Sequence, residues 1–146
     1  MLAIASDHGG FALKQEIMAH LKDTGVEFED LGTYSEESVD YPVYAVKLGK
    51  AVAAGEFERG ILICGTGIGI SIAANKIHGI RCALCSDCYS AEMSRRHNNA
   101  NVLAMGGRTL GVELAKKITD TFLHTDFEGG RHERRVNLIM ALETEQ

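Results

Sequence analysis

A cysteine before a glycine-rich loop is the first feature of this sequence that could do chemistry. Cys64 precedes the loop Gly65-Thr66-Gly67-Ile68-Gly69, and a helix is predicted to begin near Ile70. Glycines let backbone N–H groups approach a ligand closely, and the start of a helix adds a positive field. An anion is favoured there, either a phosphate or a negatively charged intermediate. The same field would make the thiol of Cys64 reactive; the alternative is a buried cysteine before a tight turn.

The loop is a poor match to nucleotide-binding motifs. Its glycines are spaced G-x-G-x-G, whereas a dinucleotide fingerprint has G-x-G-x-x-G and follows the first strand of its fold. A phosphate-binding Walker loop would end in Lys-Ser or Lys-Thr, which are absent from this position. The motif therefore favours a site other than a nucleotide pocket.

Three further cysteines have the spacing of part of a metal site. Cys82, Cys85 and Cys88 form C-x-x-C-x-x-C, which resembles part of an iron–sulfur or zinc motif. However, the run around Cys82 and Cys85 is typical of a strand, and positions three apart on a strand point to opposite faces. We interpret these residues as small core cysteines, and their spacing leaves any other role open.

Polar residues that follow apolar runs are further candidates. Asp7 could be a helix N-cap or a ligand-binding carboxylate, and His8 a loop residue or part of a site. His97 could serve as an acid or base near neutral pH, and Asn98 beside it could bind sugar hydroxyls. Taken singly, each of these residues is a weak signal.

A basic cluster lies near the end of the chain. On a predicted helix Arg131, Arg134 and Arg135 fall at positions i, i+3 and i+4, so that they share one face. The forked guanidinium group suits phosphate oxygens, although a solvated basic face is the commoner role of such a cluster.

The elements that must position these residues alternate along the chain. Strands are predicted over 2–5, 28–31, 60–64, 81–85 and 102–105. Apolar residues outside these strands recur at helical spacing and predict helices. The sets are Leu13, Ile17 and Leu21; Tyr44, Leu48 and Ala51; Leu110, Leu114, Ile118 and Phe122; and Val136, Ile139 and Met140. This alternation predicts an α/β fold with a mostly parallel sheet covered by helices on both faces. Ligands of such folds bind beyond the carboxyl ends of the strands.

Composition excludes several classes of function. The 146 residues are expected to form a single domain, 1–146. A net charge of −5 disfavours general binding to nucleic acid, which needs a basic surface. No apolar run approaches membrane-spanning length and the start lacks the features of a signal peptide, so we expect a soluble cytoplasmic protein with reduced cysteines.

Several long segments in a fixed order indicate a family. They are SDHGGFALK (6–14), DYP (40–42), ICGTGIGISIAANK (63–76), RHNNANVL (96–103), MGGR (105–108) and GGRHERRV (129–136). Over nearly the whole chain, these segments resemble the type B ribose-5-phosphate isomerase family, which also contains allose- and galactose-6-phosphate isomerases. The resemblance implies a three-layer α/β/α Rossmann-like domain with a five-stranded parallel sheet, no metal and no organic cofactor. It also implies a homodimer, possibly paired into a tetramer, whose active sites are shared between subunits.

The resemblance also assigns roles to individual residues. It implies that Cys64 is the base that shuttles a proton between C1 and C2 of the sugar, that Thr66 assists it, and that His97 helps to open the sugar ring. Sugar and phosphate contacts would come from Asp7, His8, Tyr41, Gly65, Gly67, Gly69, Asn98, Arg108, Arg131 and Arg135. Of these groups His97, Asn98 and Arg108 would belong to the partner chain.

The identity of residue 70 separates two branches of the family. One branch uses a glutamate base six positions after the cysteine position; here that residue is Ile70, which cannot accept a proton. The sequence therefore predicts a pentose-phosphate isomerase, of the intramolecular oxidoreductase class in carbohydrate metabolism, that uses Cys64. The alternatives left open are an isomerase of six-carbon sugar phosphates and a non-catalytic sensor of a sugar phosphate or nucleotide.

Overall fold

The computed structural model describes residues 1–145, which alternate between strands and helices in the predicted manner. The strands are β1 (Leu2–Ser6), β2 (Phe28–Asp30), β3 (Arg59–Cys64), β4 (Cys82–Leu84) and β5 (Val102–Gly106). The α-helices are α1 (Phe11–Asp23), α2 (Tyr41–Ala53), α3 (Ile68–Ala74), α4 (Cys88–Arg96), α5 (Val112–Leu123) and α6 (Arg131–Glu145). No helix within this part of the chain has both the length and the apolar character needed to cross a membrane.

The strands form one parallel sheet in the order β2-β1-β3-β5-β4. The central strands β1 and β5 are buried along their whole length, as expected where helices cover both faces of a parallel sheet. In the centre of the sheet Gly60 lies opposite Val102 and Cys64 opposite Gly106. The predicted three-layer α/β/α fold with a five-stranded parallel sheet is thus confirmed.

Two apolar cores lie on opposite faces of the sheet, because alternate strand residues point to opposite sides. One core joins the sheet to α1, α4 and α5, and its helical members include Leu13, Ile17, Leu21, Ala91, Ile118 and Phe122. The other joins the sheet to α2 and α3, and its helical members are Ala45, Leu48, Val52, Ile70 and Ala74. Burial of one face of each helix against the sheet accounts for the helical spacing of apolar residues in the sequence.

Several element boundaries differ from the sequence-based expectation. Strand β4 begins at Cys82 because the backbone N–H of Arg81 donates to Oδ1 of Asn101, 2.8 Å away, at the point where the strand was expected to start. Leu110 precedes α5 instead of lying within it, although it packs against the core from the preceding turn. Helix α6 buries His132 and Val136 near its start, whereas Ile139 remains 46% exposed.

Glycine allows the loops after the central strands to pack backbone against backbone. A Cβ atom on Gly10 would lie 2.5 Å from the carbonyl carbon of Ile63 and closer still to its oxygen. A Cβ atom on Gly107 would lie 2.7 Å from the carbonyl oxygen of Gly9. Because backbone atoms cannot move aside as a flexible side chain can, this contact requires residues without side chains.

Gly10→Ala is therefore expected to lower the free energy of unfolding by at least about 2 kcal/mol, because the new methyl group must displace β3. Gly111→Ala is the matched control, since no atom lies within 4 Å of its Cβ position. That control should lose no more than about 1 kcal/mol, because Gly111 is the N-cap of α5 and alanine is a weaker N-cap than glycine. Urea denaturation at fixed protein concentration measures both, and equal midpoints for the two variants would contradict the close packing at Gly10.

Candidate active site

The carboxyl end of the central strands carries most of the predicted site residues. We call this end the cysteine edge, defined by Asp7, His8, Tyr41, Cys64, the loop 65–69 and Arg108. Cys64 is buried, with 5% of its surface exposed, and the backbone N–H of Gly67 donates to its Sγ at 3.1 Å. A hydrogen bond of this kind stabilises a charged sulfur more than a neutral one.

The loop after Cys64 is shaped by a left-handed turn and by an aromatic ring. Gly67 has φ of 79° and precedes α3, and the hydroxyl of Thr66 accepts a hydrogen bond from the N–H of Ile68 at 3.2 Å. The ring of Tyr41 lies directly against Gly69, since a Cβ atom there would be 2.8 Å from its Oη. The loop, Thr66 and Tyr41 therefore form one surface above Cys64.

Asp7 and His8 are held in place by backbone groups. Oδ1 of Asp7 accepts a hydrogen bond from the N–H of Gly10 at 3.0 Å, so Asp7 caps the short 3₁₀ turn His8–Gly10 that precedes α1. Nδ1 of His8 lies 3.1 Å from the N–H of Val39 and accepts its hydrogen bond. In the neutral ring this bond leaves Nε2 protonated and able to donate to an anion.

Arg108 belongs to the cysteine edge of its own chain. Its N–H donates to the carbonyl of Gly65 at 2.9 Å, and a Cβ atom on Gly65 would lie 3.2 Å from its Nη1. The resemblance implied that Arg108 would reach the site from a partner chain. The structure corrects this expectation, because the short turn after β5 ties the arginine to the neighbouring loop.

A second group of predicted residues lies elsewhere, around His97. We call it the histidine edge, defined by His97, Asn98, Arg131, Arg135 and the two further residues Glu128 and His132. The rings of His97 and His132 stack with centroids 4.0 Å apart and planes 9° apart. Nε2 of each ring is 3.8 Å from Oε1 of Glu128.

The two edges lie at opposite ends of the sheet within one chain. Cys64 is the last residue of β3 and lies opposite Gly106, the last residue of β5. His97 follows α4, and the chain then returns to the start of β5, where the carbonyl of Asn101 accepts a hydrogen bond from the N–H of Gly60. Four residues of extended strand between those levels span about 13 Å. The structure therefore does not bring His97 to the Cys64 of its own chain. Arg131 lies beside His132 at the start of α6, so the arginine cluster lies on the same edge as His97.

The histidine edge is poorly suited to a metal ion, although ligand atoms of His97, Glu128 and His132 lie within 4.8 Å of one another. The lone pair of an imidazole nitrogen lies in the ring plane, and two stacked rings direct theirs in parallel. A first-row metal needs nitrogen ligands at about 2.0–2.1 Å that converge on one point. These rings would have to turn before they could bind one.

The cysteines 82 and 85 are also unsuited to a shared metal. Cys85 belongs to the core against α1, α4 and α5, whereas Cys82 packs against the core on the other face, as strand geometry predicted. Burial raises the pKa of Cys82 to about 12 and that of Cys85 to about 11. Metal ligation needs thiolates, and burial disfavours that form.

Sequence reasoning missed Glu128 and His132. His132 lies between Arg131 and Arg135 within the recognised motif. It was not assigned to the site, because it lies outside the helix face that Arg131 and Arg135 share at positions i and i+4. Its burial against His97 depends on how α6 meets α4, which spacing alone cannot show.

Comparisons with known proteins agree with this fold. The family described as Ribose/Galactose Isomerase matches residues 2–139. The ribose-5-phosphate isomerase B of Escherichia coli (strain K12) is 58% identical over 142 residues, which are 97% of this chain and 95% of that protein. The solved structure of Clostridium thermocellum ribose-5-phosphate isomerase B is 54% identical with a TM-score of 0.97, over 99% of this chain and 97% of that chain.

A further solved structure contains a sugar phosphate. It is ribose-5-phosphate isomerase B from Mycoplasma genitalium with bound ribulose-5-phosphate, 42% identical with a TM-score of 0.94, over 99% of this chain and 97% of that chain. The present chain therefore belongs to the ribose/galactose isomerase family and is an aldose–ketose isomerase. This membership removes the alternative of a non-catalytic sensor.

The raised thiol pKa values predict how the cysteines react. At pH 8 a thiol with a pKa of about 11 is about one part in a thousand thiolate, so Cys82 and Cys85 should alkylate at least about 100-fold more slowly than a free cysteine. Native protein is treated with iodoacetamide, digested and sequenced by fragment-ion mass spectrometry, with unfolded protein as the control. Rapid labelling of either residue in the native protein would contradict its assignment as an inert core cysteine.

Proposed function

We propose that this enzyme interconverts ribose 5-phosphate and ribulose 5-phosphate at an active site built from the cysteine edge of one chain and the histidine edge of another. The observation that carries the proposal is the division of the predicted site residues between opposite ends of the sheet. Support for the substrate comes from the relatives, which are named for ribose 5-phosphate, and from the one described with bound ribulose-5-phosphate.

Cys64 is the base in this proposal. As a thiolate it removes the proton from C2 of the open-chain aldose and delivers it to C1, while a proton moves from the C2 hydroxyl to the C1 oxygen. The intermediate is an enediolate, whose charge needs donors fixed in advance, and amides of the loop 65–69 can supply them. Thr66 lies in that loop beside the cysteine. Ile70 is fully buried and apolar, so it offers no alternative base.

The remaining residues bind the substrate and open its ring. His97 acts as the acid or base for ring opening, since imidazole can exchange protons near neutral pH. Asp7, Tyr41 and Asn98 contact sugar hydroxyls. The phosphate, which takes no part in the reaction, binds to His8 and Arg108 on one chain and to Arg131 and Arg135 on the other, and this binding energy positions the reacting carbons.

A second copy of the chain is the source of the missing half. Ile68 and Ile72 on α3 are 52% and 58% exposed, and Leu84 at the end of β4 is 42% exposed. Exposed apolar residues beside a site are typical of a protein interface. In a two-fold dimer each such interface occurs twice, so both cysteine edges can meet a histidine edge.

Cys64→Ala is expected to lower turnover of ribose 5-phosphate by about 10²–10⁴-fold, the range typical of a lost general base. Binding of a sugar-phosphate inhibitor, measured by calorimetry, should change little, because the arginines remain. Cys88→Ala is the matched control, since Cys88 begins α4 and is outside both edges. Near-parental turnover in Cys64→Ala would show that the base is wrongly assigned.

Mixing two inactive variants tests the shared site. Cys64→Ala and His97→Ala are unfolded together and refolded, so that random pairing makes about half of the dimers hybrid, and each hybrid has one intact site. Activity should therefore return to about a quarter of the parental value. Mass spectrometry of tagged chains confirms that hybrids have formed.

A second mixture serves as the control for this experiment. Cys64 and Arg108 lie on the same edge, so a hybrid of Cys64→Ala and Arg108→Ala has no intact site and should remain as inactive as the separate variants. Recovery in the second mixture would place Arg108 in the partner's site. Confirmed hybrids without recovery in the first mixture would exclude a site shared between Cys64 and His97.

A further inference from the structure

The histidine edge contains a carboxylate that the proposed mechanism does not use. Oε1 of Glu128 is equally distant, at 3.8 Å, from Nε2 of His97 and Nε2 of His132. These distances are those of ion pairs and exceed the range of a direct hydrogen bond. One carboxylate oxygen thus faces the Nε2 atoms of both stacked rings.

The position of Glu128 is fixed by its backbone. Its N–H donates to the carbonyl of Arg96 at 3.1 Å, directly before His97, and the N–H of His132 donates to the carbonyl of Gly129 at 3.1 Å. The residue is therefore anchored to the end of α4 on one side and leads into α6 on the other. Any movement of the carboxylate relative to the two rings is limited to its own side chain.

Burial distinguishes the two stacked rings. The side chain of His132 is only 10% exposed, whereas that of His97 is 39% exposed. Two positively charged imidazoles 4.0 Å apart would repel each other, so a charge on either ring disfavours a charge on the other. Desolvation lowers the pKa of His132, and the charges of His97, Arg131 and Arg135 lower it further against the opposing effect of Glu128. His132 is therefore the less favourable of the two rings for a positive charge.

The other charged groups around this stack leave Glu128 as the acid that faces both rings. Arg96 binds Glu92 through Nε at 2.7 Å and approaches Oε2 of Glu128 with Nη1 at 4.0 Å. Arg131 and Arg135 act on His132 from α6, and Glu128 opposes their effect. Glu128 thus offsets the positive charge that the arginines bring to this edge.

We propose that Glu128 is a positioning residue for ring opening: its carboxylate holds an exchangeable proton on the stacked pair, and the burial of His132 places that proton on His97. The substrate of the ring-opening step is the cyclic form of an aldose phosphate. A proton from His97 would reach the ring oxygen as the bond from C1 to that oxygen breaks, while the C1 hydroxyl gives its proton to water and becomes the aldehyde oxygen. Solvent water then returns a proton to His97. No other reactant is needed. This inference rests on the proposed function, because it assigns His97 to that step.

The two directions of the reaction separate ring opening from proton transfer between carbons. Ribose 5-phosphate is mostly a closed ring, whereas ribulose 5-phosphate cannot close a five-membered ring, because its C5 hydroxyl carries the phosphate. Removal of a C1 proton from the ketose therefore requires Cys64 but not the ring-opening group. Damage to the whole site would slow both processes together.

The test compares Glu128→Gln with the parent and with Glu133→Gln, which removes an exposed acid from the first turn of α6. Initial turnover of ribose 5-phosphate measures ring opening and isomerisation together. Loss of the C1 proton signal of ribulose 5-phosphate in heavy water counts conversion and exchange together. Denaturation midpoints confirm that all three proteins are folded.

We expect Glu128→Gln to reduce turnover of ribose 5-phosphate by about tenfold or more, while C1 proton loss from ribulose 5-phosphate falls by less than about threefold. Glu133→Gln should match the parent in both assays. Equal losses of Glu128→Gln in the two assays, or no loss with ribose 5-phosphate, would overturn the inference. Failure of the parent protein to convert either sugar would instead overturn the proposed function on which the inference depends.

Discussion

Direct contact between the backbones of three loops is the constraint on which the cysteine edge depends. Gly10 lies against the carbonyl of Ile63, Gly107 lies against the carbonyl of Gly9, and a Cβ atom on Gly106 would lie 2.7 Å from the carbonyl of Thr66. These contacts join the ends of β1, β3 and β5 without any intervening side chain. Backbone groups held in this way cannot relax, and such rigidity is what the donors of the proposed mechanism need.

The same packing decides which charged groups accompany the cysteine. The turn after β5 donates hydrogen bonds to the carbonyls of Cys64 and Gly65, and this places Arg108 over the loop of its own chain.

A second charged group lies buried in α1. Lys14 is fully buried and donates to Asp30 at 2.6 Å and to the carbonyl of Thr33. Burial lowers the pKa of Lys14, while its bond to Asp30 opposes that shift. This ion pair ties α1 to the end of β2 and to the segment that follows it.

The direction of the strands explains why Cys64 and His97 are far apart within one chain. In a parallel sheet all strands end at the same edge, so residues that follow strands meet there, and residues that follow helices collect at the opposite edge. Cys64 follows a strand and His97 follows a helix, and the two therefore lie at opposite ends of the same sheet. In the dimer proposed above, the two groups would meet only across the subunit interface.

Much of this protein could be predicted from the sequence. Periodicity indicated the strands and the helices that pack on them, because burial on one face leaves a direct record in residue spacing. The motifs identified the family and almost all candidate residues, because glycine, cysteine and arginine at fixed positions are required by local backbone geometry and by the chemistry of phosphates. Strand alternation also separated Cys82 from Cys85 correctly.

Only the tertiary structure decided how these residues are grouped. Spacing along the chain could not show that Arg108 lies with Cys64, or that Arg131 and Arg135 lie with His97, since this depends on which end of the sheet each loop reaches. Nor could it reveal Glu128 and His132, whose positions result from the contact of α6 with α4. Local sequence determines the conformation and chemistry of each segment, whereas distances between segments follow from packing of the whole chain.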